Sequence, residues 1–234
     1  MLAEPAISRG VLSDTVKDRL LAAILDGRYP PGARIVETRV AKQLGTSQAP
    51  VREALRDLEA LGVVEITAFR GARVRRPTPQ ELLDAFDVRS ELEALAVRLA
   101  LPRLADGDLD ELGRLLEAMR RASASGDTVA EAAADTAFHA FIVGRSGNGT
   151  LLRVWDRLEP FSRTYISLAI PGADQERIVA LHAGILDALR GRDAARADAA
   201  IRHHFADTGE MLVARLAANP AFAPQPDATP EGPA

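Results

Sequence analysis

The stretch that decides the fold is residues 44–66, LGTSQAPVREALRDLEALGVVEI. A short polar turn carries Ser47 and Pro50, and apolar residues then recur at the spacing of one buried helix face: Val51, Ala54, Leu55, Leu58 and Leu61. Gln48 and Arg52, in the first turns, have side chains that can reach phosphates and base edges. A helix packed on one face, with polar donors near its N-terminus, is what a helix-turn-helix protein lays in the major groove. The stretch is therefore predicted to be a DNA-recognition element.

Two helices are predicted before this stretch. The first has Ser13 as its N-cap and ends at Gly27, just before the turn YPPG at residues 29–32. The second runs roughly over residues 37–44. Thr38, at the start of this second helix, has a hydroxyl that can donate to a phosphate, although a plain helix-end hydroxyl is an equally good interpretation.

A β-hairpin is predicted after the recognition helix. Two short β-prone runs, residues 63–66 and 72–75, flank Phe69-Arg70-Gly71, and a glycine at such a turn marks a hairpin. Three helices followed by a hairpin make a winged helix-turn-helix. The helices alone would also fit a generic small bundle, but the order of turn, capped helix and basic hairpin favours the winged fold.

Composition and charge bound the class of protein. The chain has 234 residues, 47% of them apolar and 26% charged, as in ordinary globular proteins. It contains no cysteine, which excludes disulfides and thiolate metal sites and fits the cytoplasm. No apolar run of about 18 residues and no signal-peptide pattern is present, so no membrane association is expected. Residues 1–76 carry a net charge of +4 and residues 77–234 one of −8, so that only the first part is expected to meet a polyanion.

The remainder of the chain is predicted to be all-α. Thr78-Pro79-Gln80-Glu81 reads as a capping box that opens a long helix. Further helical patterns follow at about 108–123, 128–145, 150–169, 174–190 and 194–217, and Pro160 is expected to bend the fourth helix of this part. The fold class is therefore mainly α, an N-terminal winged helix-turn-helix plus a C-terminal bundle of about six helices. The predicted divisions are a flexible arm (1–10), the reader (11–76), the bundle (77–218) and a disordered tail (219–234).

Four histidines carry the chemistry of the predicted bundle. Asp135 and His139 are four residues apart and share one helix face, while His182 and the pair His203-His204 lie on the last two helices. A carboxylate and imidazoles gathered from three helices can hold Zn, Ni, Mn or Fe. The alternative is that each histidine caps a helix or forms a hydrogen bond in the interior.

The first part resembles the GntR family of bacterial transcription regulators. The matching motifs are ILDGRYPPGARIVE, VAKQLGTSQAPVREALRDLEALGVVE and RGARV, over about residues 12–76. The resemblance implies operator contacts by Ser47, Gln48 and Arg52 and by a wing at Arg70-Gly71, although a solvated surface arginine is the alternative for Arg52. Family members commonly have Arg-Thr where this chain has Gln48-Ala49. Glutamine can pair with an adenine edge whereas arginine prefers guanine, so the base preference at that step is left open.

The second part, about residues 79–215, is similar to the FCD effector domain. The matching motifs are RSELEALAVRLA, DTAFHAFIVGRSGN and HAGILDALRGRDAARADAAIRHHF. The resemblance implies a divalent metal held by four ligands, and it selects the second histidine of the adjacent pair: Asp135, His139, His182 and His204. It also implies a small organic acid whose carboxylate meets the metal and Arg89. The alternative for Arg89 is a salt bridge with Glu93, four residues later.

Together these patterns predict a homodimeric, cytoplasmic transcription regulator rather than an enzyme. Its partners are operator DNA and a small carboxylate effector, and repression relieved by effector is what the resemblance implies. Two other classes stay open at this point. An Asp/His cluster could activate water in a metalloenzyme, or the chain could be an effector-independent DNA-binding protein with a structural metal.

Overall fold

The computed structural model describes residues 9–67, 71–169 and 175–218. Its N-terminal part contains three helices and three short strands in the order α1 (Arg9–Leu25), β1 (Arg34–Ile35), α2 (Glu37–Leu44), α3 (Gln48–Ala60), β2 (Val64–Thr67) and β3 (Gly71–Val74). The strands pair antiparallel in the order β1-β3-β2. This is the winged helix-turn-helix arrangement that the sequence predicts.

Helix α1 differs from its prediction at its N-terminus. It begins at Arg9, so Ser13 lies inside the helix, where it is buried, and it is not the N-cap. The other end agrees, because Gly27 adopts a positive φ of 76° just past the last helical residue. Strand β1 has only two residues, too few to show an alternating pattern, and the sequence did not predict it.

The apolar stripe of α3 forms the core of this part. Val51, Leu55 and Leu58 are each at most 1% exposed and pack with Ile24 of α1 and Ile35 of β1. Burying side chains of this size contributes about 1.5–3 kcal/mol each. Since one face of α3 is fully used in this way, the polar residues of its opposite face point to solvent.

Six α-helices and one short 3-10 helix make up the described part of the C-terminal bundle. They are α4 (Pro79–Ala100), the 3-10 helix (Leu101–Arg103), α5 (Asp106–Ser125), α6 (Thr128–Arg145), α7 (Gly149–Ala169), α8 (Gln175–Arg190) and α9 (Ala194–Ala218). The capping box at the start of α4 is confirmed, and α7 runs through Pro160 without interruption. Residues 219–234, predicted to be a disordered tail, lie outside the described residues. None of the described helices is long and apolar enough to cross a membrane.

Helices α4 and α9 lie antiparallel in the bundle. The ion pair of Glu91 with Arg202 and that of Arg98 with Asp198 show this, because the numbering rises along one helix as it falls along the other. Helix α6 lies parallel to α4. Glu93 contacts His139, and further along both helices Arg103, just after α4, donates to the carbonyl oxygen of Ser146, just after α6. These pairings show which turns of α4, α6 and α9 lie at the same level in the bundle.

Candidate metal centre and nucleic-acid interface

The residues predicted to contact DNA are exposed on α2, on α3 and in the turn between them. Thr38, Ser47, Gln48 and Arg52 all face solvent. Ser47 occupies the N-cap position of α3 but makes no side-chain capping bond, so its hydroxyl is available to a phosphate. Arg52 points away from the buried stripe, and both its Nε and its Nη2 lie 3.1 Å from Oε2 of Glu37.

The wing is described only in part. Gly71 is exposed with a φ of 80°, a conformation that favours glycine, while Arg70 lies outside the described residues. Sequence reasoning missed a basic pair on the sheet, because it did not predict β1. Arg34 of β1 and Arg73 of β3 are opposite each other in the ladder, and both are exposed. They add two positive charges beside the hairpin.

Three imidazoles meet in the interior of the bundle. His139 of α6, His182 of α8 and His204 of α9 are at most 4% exposed, and each offers a ring nitrogen within 4.8 Å of the other two. Asp135 Oδ1 lies 3.1 Å from His182 Nε2 and 3.9 Å from His139 Nε2. The structure therefore brings together the four side chains that the resemblance implied as ligands.

The hydrogen bonds around the rings orient two of the imidazoles. His182 Nδ1 lies 2.8 Å from the carbonyl oxygen of Ile178, and His139 Nδ1 contacts a carboxylate oxygen of Glu93. Both partners accept, so each Nδ1 carries a hydrogen, and each Nε2 has a lone pair when its ring is neutral. The two Nε2 atoms are only 3.1 Å apart beside Asp135. A cation at this point offsets the repulsion of the lone pairs, which fits a metal ion or a proton.

His204 completes the cluster, whereas its neighbour His203 stays outside. Burial, together with His182 and His139, lowers the pKa of His204 well below its ordinary value, which keeps the ring neutral. In the described part of the chain its buried Nδ1 has no hydrogen-bond partner. A neutral imidazole with a free lone pair is the form that binds a metal. His203 is exposed, and its Nδ1 lies 3.5 Å from Asp207 Oδ1.

Glu93 is the residue of this site that sequence reasoning named only as a partner for Arg89. Its Oε1 accepts from Arg89 Nη2 at 2.9 Å and from Trp155 Nε1 at 2.7 Å, and its Oε2 contacts His139. Burial opposes ionisation, but His139 and Arg89 lower the pKa of Glu93 to about 2. Its signal in the sequence was a carboxylate on the inward face of an apolar helix, one turn after Arg89.

Arg89 forms the salt bridge with Glu93 that was the alternative interpretation for it. It is 2% exposed, and its guanidinium carbon lies 5.1 Å from the ring centre of Phe205. Its Nε nevertheless has no partner among the described residues. The salt bridge therefore leaves one donor of a buried guanidinium unused near Asp135.

A winged reader followed by a helical bundle with a buried polar centre is the architecture of a DNA-binding transcription regulator. The profile of the bacterial regulatory proteins of the gntR family matches residues 12–74, and that of the FCD domain matches residues 84–207. The chain belongs to the GntR family and carries an FCD domain. It is thus a transcriptional regulator that binds DNA, and members of this family are not enzymes.

Several known proteins are similar to most of the chain. A probable D-xylose utilization operon transcriptional repressor of Paenarthrobacter nicotinovorans is 37% identical over 200 residues, which cover 86% of this chain and 88% of that protein. The Escherichia coli regulator McbR is 32% identical over 171 residues, 71% of this chain and 77% of that one. The solved structure of E. coli McbR/YncC covers 90% of this chain and 99% of its own, with a TM-score of 0.76 and 28% identity.

Proposed function

We propose that this regulator is a homodimeric repressor. Its binding to operator DNA would be controlled by a small organic acid that binds to a divalent metal ion in the bundle. Asp135, His139, His182 and His204 would hold the metal, which would be Zn, Ni, Mn or Fe. The observation that carries the proposal is the convergence of three imidazoles and a carboxylate on one buried point, with two of the rings oriented through their Nδ1 atoms. Imidazoles with one carboxylate suit these borderline ions.

The residues around this centre would hold the ligands and the acid in place. When bound, the metal ion would act as a Lewis acid toward a carboxylate oxygen of the effector. Glu93 fixes the ring of His139 and the position of Arg89, so one carboxylate organises both a ligand and the group proposed to bind the acid. A planar guanidinium is well suited to a carboxylate, and the free Nε of Arg89 leaves a donor for it.

Control of DNA binding requires two states of the dimer. Two-fold symmetric regulators match palindromic operators, so two copies of α3 would occupy two major-groove half-sites. Effector binding would change the spacing of these helices, provided that the acid binds the released state more tightly than the operator-bound state. Repression as the default is supported by the similar protein of P. nicotinovorans, which is described as a probable repressor.

The metal assignment can be tested by native mass spectrometry of a double variant, which changes one histidine of α8 and one of α9, and of a single-site control on α9. The double variant His182→Ala/His204→Ala should lose its metal while the reader still binds operator, because both rings lie in the bundle. His203→Ala is the matched control, since His203 is adjacent but exposed, and it should keep stoichiometric metal. Stoichiometric metal in the double variant would contradict the ligand assignment.

A further inference from the structure

Two further polar side chains are buried near the histidine cluster and are used by nothing described so far. Glu131 is 8% exposed and Thr208 is 3% exposed, and neither Glu131 Oε1 nor Thr208 Oγ1 has a hydrogen-bond partner among the described residues. Only two other buried side-chain nitrogen or oxygen atoms share this condition in the described chain, Arg89 Nε and His204 Nδ1. Buried polar atoms without a partner are rare, and each calls for an explanation such as a bound group.

The helix pairings place Glu131 and Thr208 on the same side of the cluster. Glu131 lies about two turns before His139 on α6. Since α6 runs parallel to α4 and His139 contacts Glu93, Glu131 is level with the turn of α4 that precedes Arg89. Thr208 lies one turn after His204 on the antiparallel helix α9. Its neighbour Gly209 approaches Leu83 and Phe86 of that same turn of α4. Both side chains therefore lie about one helical turn, ~5.4 Å, beyond the level of Arg89.

The polar groups at the level of Arg89 differ in chemistry from the two groups that lie one turn further along. Arg89 and the Asp135–histidine cluster can take a carboxylate, as proposed above. Thr208 has a hydroxyl that both donates and accepts. Glu131 has a carboxyl group, which accepts hydrogen bonds and which also donates one when it is protonated. An alkyl chain would leave both groups unpaired, whereas hydroxyl groups would satisfy them.

We propose that Glu131 and Thr208 read the hydroxyl groups of the effector, which is therefore a polyhydroxylated carboxylic acid. Its carboxylate lies at the metal centre and Arg89, and its hydroxylated carbon chain extends toward the N-terminal end of α4. The proposal rests on the proposed function, because it specifies the ligand of that same site. A site built to hydrogen-bond a hydroxyl strongly rejects an analogue that lacks it.

The test uses matched acids with the full-length, metal-loaded protein. D-gluconate is compared with hexanoate and L-threonate with butyrate, by calorimetry and by release of bound operator. In at least one pair the hydroxylated acid should bind 100-fold or more tightly than its alkyl counterpart and should release the operator. Equal binding within both pairs, together with operator release, would overturn the proposal and leave control by an organic acid standing. If none of the four acids binds, the proposal and the effector part of the proposed function both fail.

Variants then assign the selectivity to the two residues. Thr208→Val and Glu131→Met preserve approximate size and should each weaken binding of the preferred hydroxylated acid by roughly tenfold or more, with the affinity for the alkyl acid unchanged. Thr136→Val is the control, because the Thr136 hydroxyl is already bonded to Glu159 at 2.8 Å. Unchanged affinity in both test variants would overturn the assignment. The comparison of acids with the unmodified protein does not depend on whether any variant folds.

Discussion

At the scale of single residues, Arg52 forms an ion pair with Glu37 that has to break before Arg52 can contact DNA. In the free protein its guanidinium is held by Glu37, fifteen residues earlier, at the start of α2. Both side chains are partly exposed to solvent, so this pair contributes little to stability. A guanidinium that can exchange a solvated carboxylate for a bidentate contact to guanine or phosphate is well placed for recognition.

Arg52→Ala should therefore weaken operator binding by about 1–3 kcal/mol. Fluorescence anisotropy or a gel shift measures the change, with an operator that is first selected from genomic fragments by the unmodified protein. Glu37→Gln is the control, since it removes the competing carboxylate and leaves Arg52 in place. It should bind operator at least as tightly as the unmodified protein. An unchanged affinity for Arg52→Ala would remove this residue from the interface.

At the scale of elements, the first turn of α4 connects the wing to the bundle. Thr78 accepts from the backbone N–H of Glu81, and the Glu81 side chain accepts from the backbone N–H of Thr78. Glu81 also pairs with Arg75, which follows β3 directly and lies over the ring of Phe161 of α7. A local capping signal thus also fixes where the winged helix-turn-helix part joins the FCD domain.

Thr78→Ala should lower the free energy of unfolding by about 1 kcal/mol, because it leaves an N–H of the first turn without its partner. Urea denaturation followed by circular dichroism measures the change. Ser47→Ala is a matched control at another N-cap, where the side chain makes no capping bond, and it should have a clearly smaller effect. Equal effects at the two positions would mean that the capping box of α4 does not stabilise the protein.

At the scale of the whole molecule, two apolar cores serve two tasks. One core is built from α1–α3 and the sheet, and the other from the helices of the bundle. The two parts also differ in net charge, which is +4 for residues 1–76 and −8 for residues 77–234. This separation allows the proposed dimer to change the spacing of its readers while each core keeps its packing.

The proposed dimer predicts a spacing requirement in the operator. Half-sites one helical turn apart, about 10–10.5 base pairs, place two recognition helices on one face of the duplex. Insertion of five base pairs between the half-sites should reduce the affinity to that of a duplex with a single half-site, measured on operators selected from genomic fragments. Unchanged affinity after the insertion would show that the two readers bind independently.

The order of the helices, several of their ends and the fold class could be predicted from the amino-acid sequence alone, whereas the start of α1 could not. Residues 37–44 and 128–145 were predicted as helices with the observed bounds, and the capping box of Thr78 and Glu81 was recognised from four consecutive residues. These features depend on the spacing of apolar residues and on the chemistry of adjacent side chains, which are local properties. The resemblance to GntR and FCD proteins rested on equally local motifs.

Which polar groups meet in the interior depends on the packing of helices that are far apart in the sequence. The contact of Glu93 with His139 joins residues 46 positions apart, and the pairing of Arg34 with Arg73 needs a strand of two residues. The burial of His204 beside an exposed His203 depends on how α9 is rotated against its neighbours. The same packing leaves Glu131 Oε1 and Thr208 Oγ1 without a hydrogen-bond partner among the residues that the structure describes. Such contacts arise where helices distant in sequence fill one core, and no local pattern records them.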